Sequence, residues 1–138
     1  MNTRQIDLTN MRPEILSAKI HENMSADERF QNIVLRPIIK LQNDLLIEVF
    51  KNYIAKHKMV YYGYSFEKRL LFIENAVTKD IKFRNALKGM IIGLFTIEEY
   101  KLYIQNSSAL NKRMMQLVKE RLISNMQLFE QPEVLKAV

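Results

Sequence analysis

Apolar positions recur along this chain at spacings of three and four, the period of a helix with one buried face. Phe30, Val34, Ile38, Leu41, Leu45 and Val49 form one such stripe. Phe83, Leu87, Met90, Ile91 and Leu94 form a second, and Met114, Val118, Leu122, Met126 and Phe129 a third. Start signals divide the chain between them. Ser25-Ala-Asp-Glu28 and Thr96-Ile-Glu-Glu99 have the capping-box form, in which a hydroxyl and a carboxylate satisfy each other's free backbone N–H groups. Weaker starts lie at Pro13, Ser65, Thr78 and Ser107 or Ser108. The pattern predicts helices near 13–22, 26–57, 66–77, 79–92, 97–105 and 108–129.

Three stripes that each need a partner describe an all-α bundle of five to six helices in a single domain spanning 1–138. Residues 1–12 are expected to be a flexible arm and 130–138 a frayed tail. Pro37 interrupts the longest segment and is expected to kink or break it, because proline removes the bond its N–H would make to Ile33. Met59 to Phe66, MVYYGYSF, holds four aromatics in eight residues; a lone strand has nothing to pair with, so it reads as a loop whose rings plug the core. Gly89 and Gly93 stand four apart in an apolar run too short to cross a bilayer. Gly89 is expected to allow close packing, and Gly93 to end its helix in the left-handed conformation.

Composition adds limits. At 138 residues and 48% apolar, with three prolines and three glycines, the chain fits one globular helical core. With no cysteine it has no disulfide and no thiolate metal site. The N-terminal MNTRQIDLTNMRPEIL lacks a signal-like apolar stretch, and no window approaches a membrane span, so a cytoplasmic protein with no membrane association is expected.

Charge is unevenly spread, with net −1 over residues 1–30, +8 over 31–128 and −1 over 129–138. Lys79, Lys82, Arg84 and Lys88 crowd one helix, and Lys112, Arg113, Lys119 and Arg121 the last. They are the candidate polyanion-binding residues, with Tyr61, Tyr62 and Tyr64 as candidate stacking platforms for single-stranded bases.

Catalytic chemistry finds little support. His21 begins HENMS rather than HExxH, and neither histidine follows a Glu at the spacing of a di-iron bundle. Asp44 and Glu48 sit in a ladder with Lys40 and Lys51, which reads as surface charge. Ser65-Phe-Glu-Lys68 matches SxxK, but neither SDN nor KTG occurs, so Ser65 reads as a helix cap. No catalytic residue, metal site or cofactor is expected. Eight methionines, among them Met90, Met114, Met115 and Met126, suit an adaptable contact surface. The last helix is apolar around more than one face, as befits either a central helix or one shared between subunits.

The segments LRPIIKLQNDLLIEVFKNYIAKHK, KDIKFRNALKGMIIGLFT and NSSALNKRMMQLVKERL resemble a group of short bacterial proteins of unassigned role, some labelled glyoxalase. The resemblance covers about residues 25 to 129 and carries no functional motif. Glyoxalase I enzymes are βαβββ folds with His and Glu metal ligands, whereas this chain reads as helical, so no residue takes a catalytic assignment from the label. The expected function is a non-catalytic helical protein-interaction module, binding a protein partner or itself as a homodimer. The alternative is nucleic-acid binding through the basic helices 79–88 and 108–121.

Overall fold

The computed structural model describes residues 3–15 and 20–130. Every regular element in them is helical, and there is no strand among the described residues. The α-helices are α1 (Thr3–Met11), α2 (Ala26–Phe30), α3 (Arg36–Leu41), α4 (Asn43–Lys56), α5 (Phe66–Thr78), α6 (Ile81–Ile92), α7 (Ile97–Tyr103) and α8 (Ser107–Ser124). A π turn, Gln31–Leu35, joins α2 to α3, and 3-10 turns occupy Val60–Gly63 and Met126–Phe129.

Local chemistry sets most boundaries. Thr96 and Glu99 complete the expected capping box at α7, and the Ser25 and Ser65 hydroxyls accept from the N–H groups of Glu28 and Lys68. Thr78 does not cap α6. Its hydroxyl bonds back to the Glu74 carbonyl at 2.7 Å inside α5, and the Asp80 carboxylate caps α6 by accepting from Phe83 N–H at 3.2 Å. At the far end of α4 the chain closes with Lys58 N–H to the Ala55 carbonyl and Met59 N–H to that of Ile54. Lys58 and Met59 have φ of 59° and 58°, so a lysine stands where such a motif favours glycine.

The N-terminus departs from expectation. Thr3–Met11, expected as a flexible arm, is helical and buries Leu8, whereas Arg12 to Ile15 lacks regular structure where a helix was expected from Pro13. Residues 16–19, within the expected 13–22 helix, and 131–138, within the expected tail, lie outside the described residues.

Around Pro37 the backbone remains helical, with Leu35 at φ −68°, ψ −48° and Arg36 at φ −60°, ψ −47°. The adjustment lies upstream, where Arg36 N–H reaches back five residues to the Gln31 carbonyl and opens the wider π turn. A departure from helical dihedrals comes later, at Gln42 (φ −86°, ψ 3°), whose side-chain amide donates to the Met90 carbonyl at 3.0 Å. That turn redirects the buried face. Phe30, Val34 and Ile38 are buried as expected, but Leu41 and Leu45 are exposed, and α4 instead buries Leu46, Ile47, Phe50 and Ile54.

Helix α8 packs against α3, α4, α5, α6 and the π turn, burying Leu110, Met114, Met115, Leu117, Val118 and Leu122. Its broad apolar surface is therefore satisfied within one chain. The methionines serve that core too: Met114 and Met115 are buried, and Met90 and Met126 pack against the cluster rather than forming an adaptable surface.

Gly93 follows the last residue of α6 as expected, but its φ is −60°, so no left-handed conformation is involved. Neither glycine admits another element: a Cβ at Gly89 would meet nothing within 4 Å, and one at Gly93 would meet the Gly89 carbonyl oxygen one turn back in its own helix, at 3.0 Å. Gly89→Ala is therefore expected to raise unfolding free energy by about 0.5–1 kcal/mol through helix propensity alone, measurable by urea denaturation.

Candidate functional site

One of the three candidate stacking tyrosines is committed to the interior. Tyr61 is fully buried, edge-on to Phe50 at 6.4 Å and covered by the Arg69 guanidinium at 5.0 Å from its ring. Tyr62 is partly buried and its hydroxyl donates to the Phe129 carbonyl. Tyr62 and Tyr64 are both half-buried, with the Lys68 ammonium 5.6 Å from the Tyr64 ring, and of the three Tyr61 is the one whose ring has no face open to a base. The burial of Tyr61 has a cost. Its hydroxyl has no hydrogen-bond partner among the described residues, and burial pushes the phenol up from its usual pKa. Tyr61→Phe is expected to stabilise the fold by about 1 kcal/mol, read by thermal or urea unfolding.

The candidate polyanion-binding cations divide among separate surroundings. On α8, Lys119 turns to α5 and pairs with Glu74 at 3.4 Å, while Arg113 donates to the Gln31 side chain of the π turn at 3.0 Å. Lys112, Arg113 and Arg121 line a groove against the π turn and α3. Lys79, at the end of α5, and Lys82 of α6 are exposed, Arg84 and Lys88 of α6 half-exposed, and none of the four lines that groove.

A cluster of titratable groups joins α4 to α6. The Tyr53 hydroxyl donates to Asp80 at 2.8 Å, and the His57 ring lies 4.1 Å from that of Tyr53. Desolvation, then the Asp80 hydrogen bond and charge, drive the Tyr53 pKa above its usual value. The Phe83 N–H, followed by the Tyr53 hydroxyl, holds Asp80 below the usual carboxylate range. One Asp80 oxygen caps α6 and the other anchors Tyr53, so the cluster ties two helices together.

An open apolar cavity lies elsewhere. A cavity of about 540 Å³ opens between α2 with its π turn and α7 with the start of α8. Phe30, Ile33, Val34, Leu102 and Leu110 line it, and Asp27 and Asn106 bridge its end through hydrogen bonds of 2.9 and 3.1 Å. Ile33 is 45% exposed and Leu102 56%. On the outer side of α7, Ile97, Tyr100 and Ile104 fall on one helical stripe and are 52%, 46% and 55% exposed. A concave apolar groove and a convex apolar ridge therefore stand on the two sides of one short helix.

Sequence reasoning missed this site for two reasons. Ile33 reads as an off-stripe residue of a straight helix, and α7 is too short for its stripe to stand out. The alternation Ile97, Tyr100, Leu102, Ile104, apolar on both sides of the helix, was the available signal.

The described residues form an all-α helical bundle with an open apolar groove, and no helix among them is long and apolar enough to cross a membrane. Comparison with protein-family models, with curated proteins and with solved structures gives no match for this chain.

Proposed function

We propose that the protein is a helical interaction module that associates with a second copy of itself through the groove between α2, the π turn and α7. The observation that carries this reading is the open apolar cavity with Ile33 and Leu102 half-exposed at its rim. Contiguous exposed apolar surface of this kind marks interaction sites. The second copy is favoured because the complementary shape is already present: the Ile97, Tyr100 and Ile104 ridge of one chain can enter the groove of the next, a head-to-tail contact because ridge and groove lie on opposite sides of α7. The turns flanking the groove keep their own hydrogen bonds, so docking requires no unfolding.

Sedimentation velocity across a dilution series tests the reading. The native chain is expected to form dimers and longer oligomers that dissociate on dilution. Ile33→Asp and Leu102→Asp are each expected to give a monomer of unchanged helical circular dichroism, since both side chains are already partly in water. A native chain that sediments as a monomer throughout would overturn the proposal.

A further inference from the structure

The opposite border of the π turn forms a second groove, of different chemistry, against α8. One stretch, of about 410 Å³, contains Arg36, Lys112 and Arg113, and the adjoining stretch, of about 320 Å³, contains Arg36 and Arg121. Arg36, Leu117 and Glu120 line both stretches, so the two are continuous. Four cations thus face one carboxylate.

The way these cations are held distinguishes them from the other basic side chains. Arg36 Nε donates to the Asn32 side-chain oxygen at 2.9 Å, and Arg113 donates to that of Gln31 at 3.0 Å. Both acceptors are neutral amides, which orient a guanidinium without cancelling its charge. Glu120 accepts from Gln116 at 3.1 Å. Among the described residues the ion pairs are Arg12 with Glu99, Lys51 with Glu48, Arg69 with Glu130, Lys101 with Glu98 and Lys119 with Glu74. None involves Arg36, Lys112, Arg113 or Arg121. Guanidinium groups fixed by neutral partners and gathered in one concavity attract anions, and their planar forks suit phosphate oxygens in bidentate contact.

Ile39 and Leu117, 2% and 8% exposed, are already packed into the core behind the groove, so they offer a ligand little apolar surface. A long duplex would need an extended basic track, which the cations of α6 and Lys119 do not supply. We propose that this groove binds a small polyphosphate, its phosphates on Arg36, Arg113 and Arg121. The site is separate from the groove proposed for self-association, and either can fail without the other.

Isothermal titration calorimetry of the full chain at physiological salt tests the inference, with adenosine triphosphate, inorganic tripolyphosphate and adenosine as probes. One adenosine triphosphate or one tripolyphosphate per chain is expected to bind with sub-millimolar affinity, and adenosine not detectably. Arg36→Gln and Arg121→Gln are each expected to lower the affinity for adenosine triphosphate by about tenfold, the loss of roughly one charge-assisted contact. The double variant Lys79→Gln, Lys82→Gln, outside the groove, is expected to bind as the native chain does. Melting curves of every variant confirm that the fold is retained. Undetectable binding of both phosphates, an equal loss in the Lys79, Lys82 variant, or adenosine binding as tightly as adenosine triphosphate would each overturn the proposal.

Discussion

Phe50→Ala is expected to lower the unfolding free energy by about 3–5 kcal/mol, the largest effect of any single truncation in this chain. Phe50 is wholly buried on the inner face of α4. Its ring lies 5.0 Å from that of Phe129, 5.7 Å from Tyr53, 6.0 Å from Phe72, 6.2 Å from Phe83 and 6.4 Å from Tyr61. Those five rings come from α4, α5, α6 and both 3-10 turns, so the residue sits where separate elements converge. Removing it takes away the transfer energy of a benzyl group and leaves a cavity that rigid neighbouring rings fill poorly. Phe50→Leu, which keeps most of the volume, is expected to cost less than half as much. Urea titrations followed by circular dichroism give both values, and a Phe50→Ala loss no larger than that of an exposed site such as Leu45→Ala would contradict this account.

Arg12→Ala is expected to cost about 3 kcal/mol at neutral pH, because it leaves a largely buried carboxylate without its cation. Both terminal nitrogens of Arg12 donate to Glu99, and one also reaches the Leu94 carbonyl at 3.0 Å. The two side chains are only 10% and 15% exposed, so solvent screens the pair far less than a surface ion pair. Burial pushes the Glu99 carboxyl up, but the Arg12 hydrogen bonds and the Thr96 N–H outweigh it and hold the group below its ordinary value of 4.5. A depressed carboxylate stabilises the fold fully above its unfolded pKa, and that contribution disappears as pH falls through the folded value. The difference between the native chain and Arg12→Ala should therefore be constant near neutrality and shrink below about pH 4.5. A difference that stays the same from neutral to acid would show that Arg12 acts through packing alone.

Much of the architecture is legible in the chain itself. Ser25, Ser65 and Thr96 announce helix starts because capping depends on residues three apart, a distance that tertiary structure hardly alters. The aromatic run at Met59 to Phe66 is a short turn with Tyr61 as its plug, as its composition indicated. Periodicity fails where the helix stops being straight. The stripe through Leu41 and Leu45 assumes an unbroken path, and the turn at Gln42 breaks that assumption.

The grooves were less legible still. A tyrosine next to lysines reads the same whether its ring is buried or free, and only the packing of α4, α5 and the 3-10 turns decides that Tyr61 lies inside. Arg36 stands apart from the basic runs in sequence, and its meeting with Arg113 and Arg121 is produced by the crossing of α3 and α8. Glu99 reads as half of a capping box, with nothing to indicate that an arginine 87 positions earlier completes its coordination.

The π turn has a consequence that reaches beyond its accommodation of Pro37. Ile33 and Val34 of this five-residue segment face the apolar groove, while Gln31 and the adjoining Arg36 face the basic one. A ligand on either side that favours one geometry of the turn alters the free energy of binding on the other. If a polyphosphate and a second copy of the chain bind as proposed, thermodynamic linkage makes the influence mutual: the factor by which the polyphosphate shifts the self-association constant is the factor by which self-association shifts polyphosphate affinity. The irregular turn is thus the place in this fold where occupancy of one surface can be felt by the other.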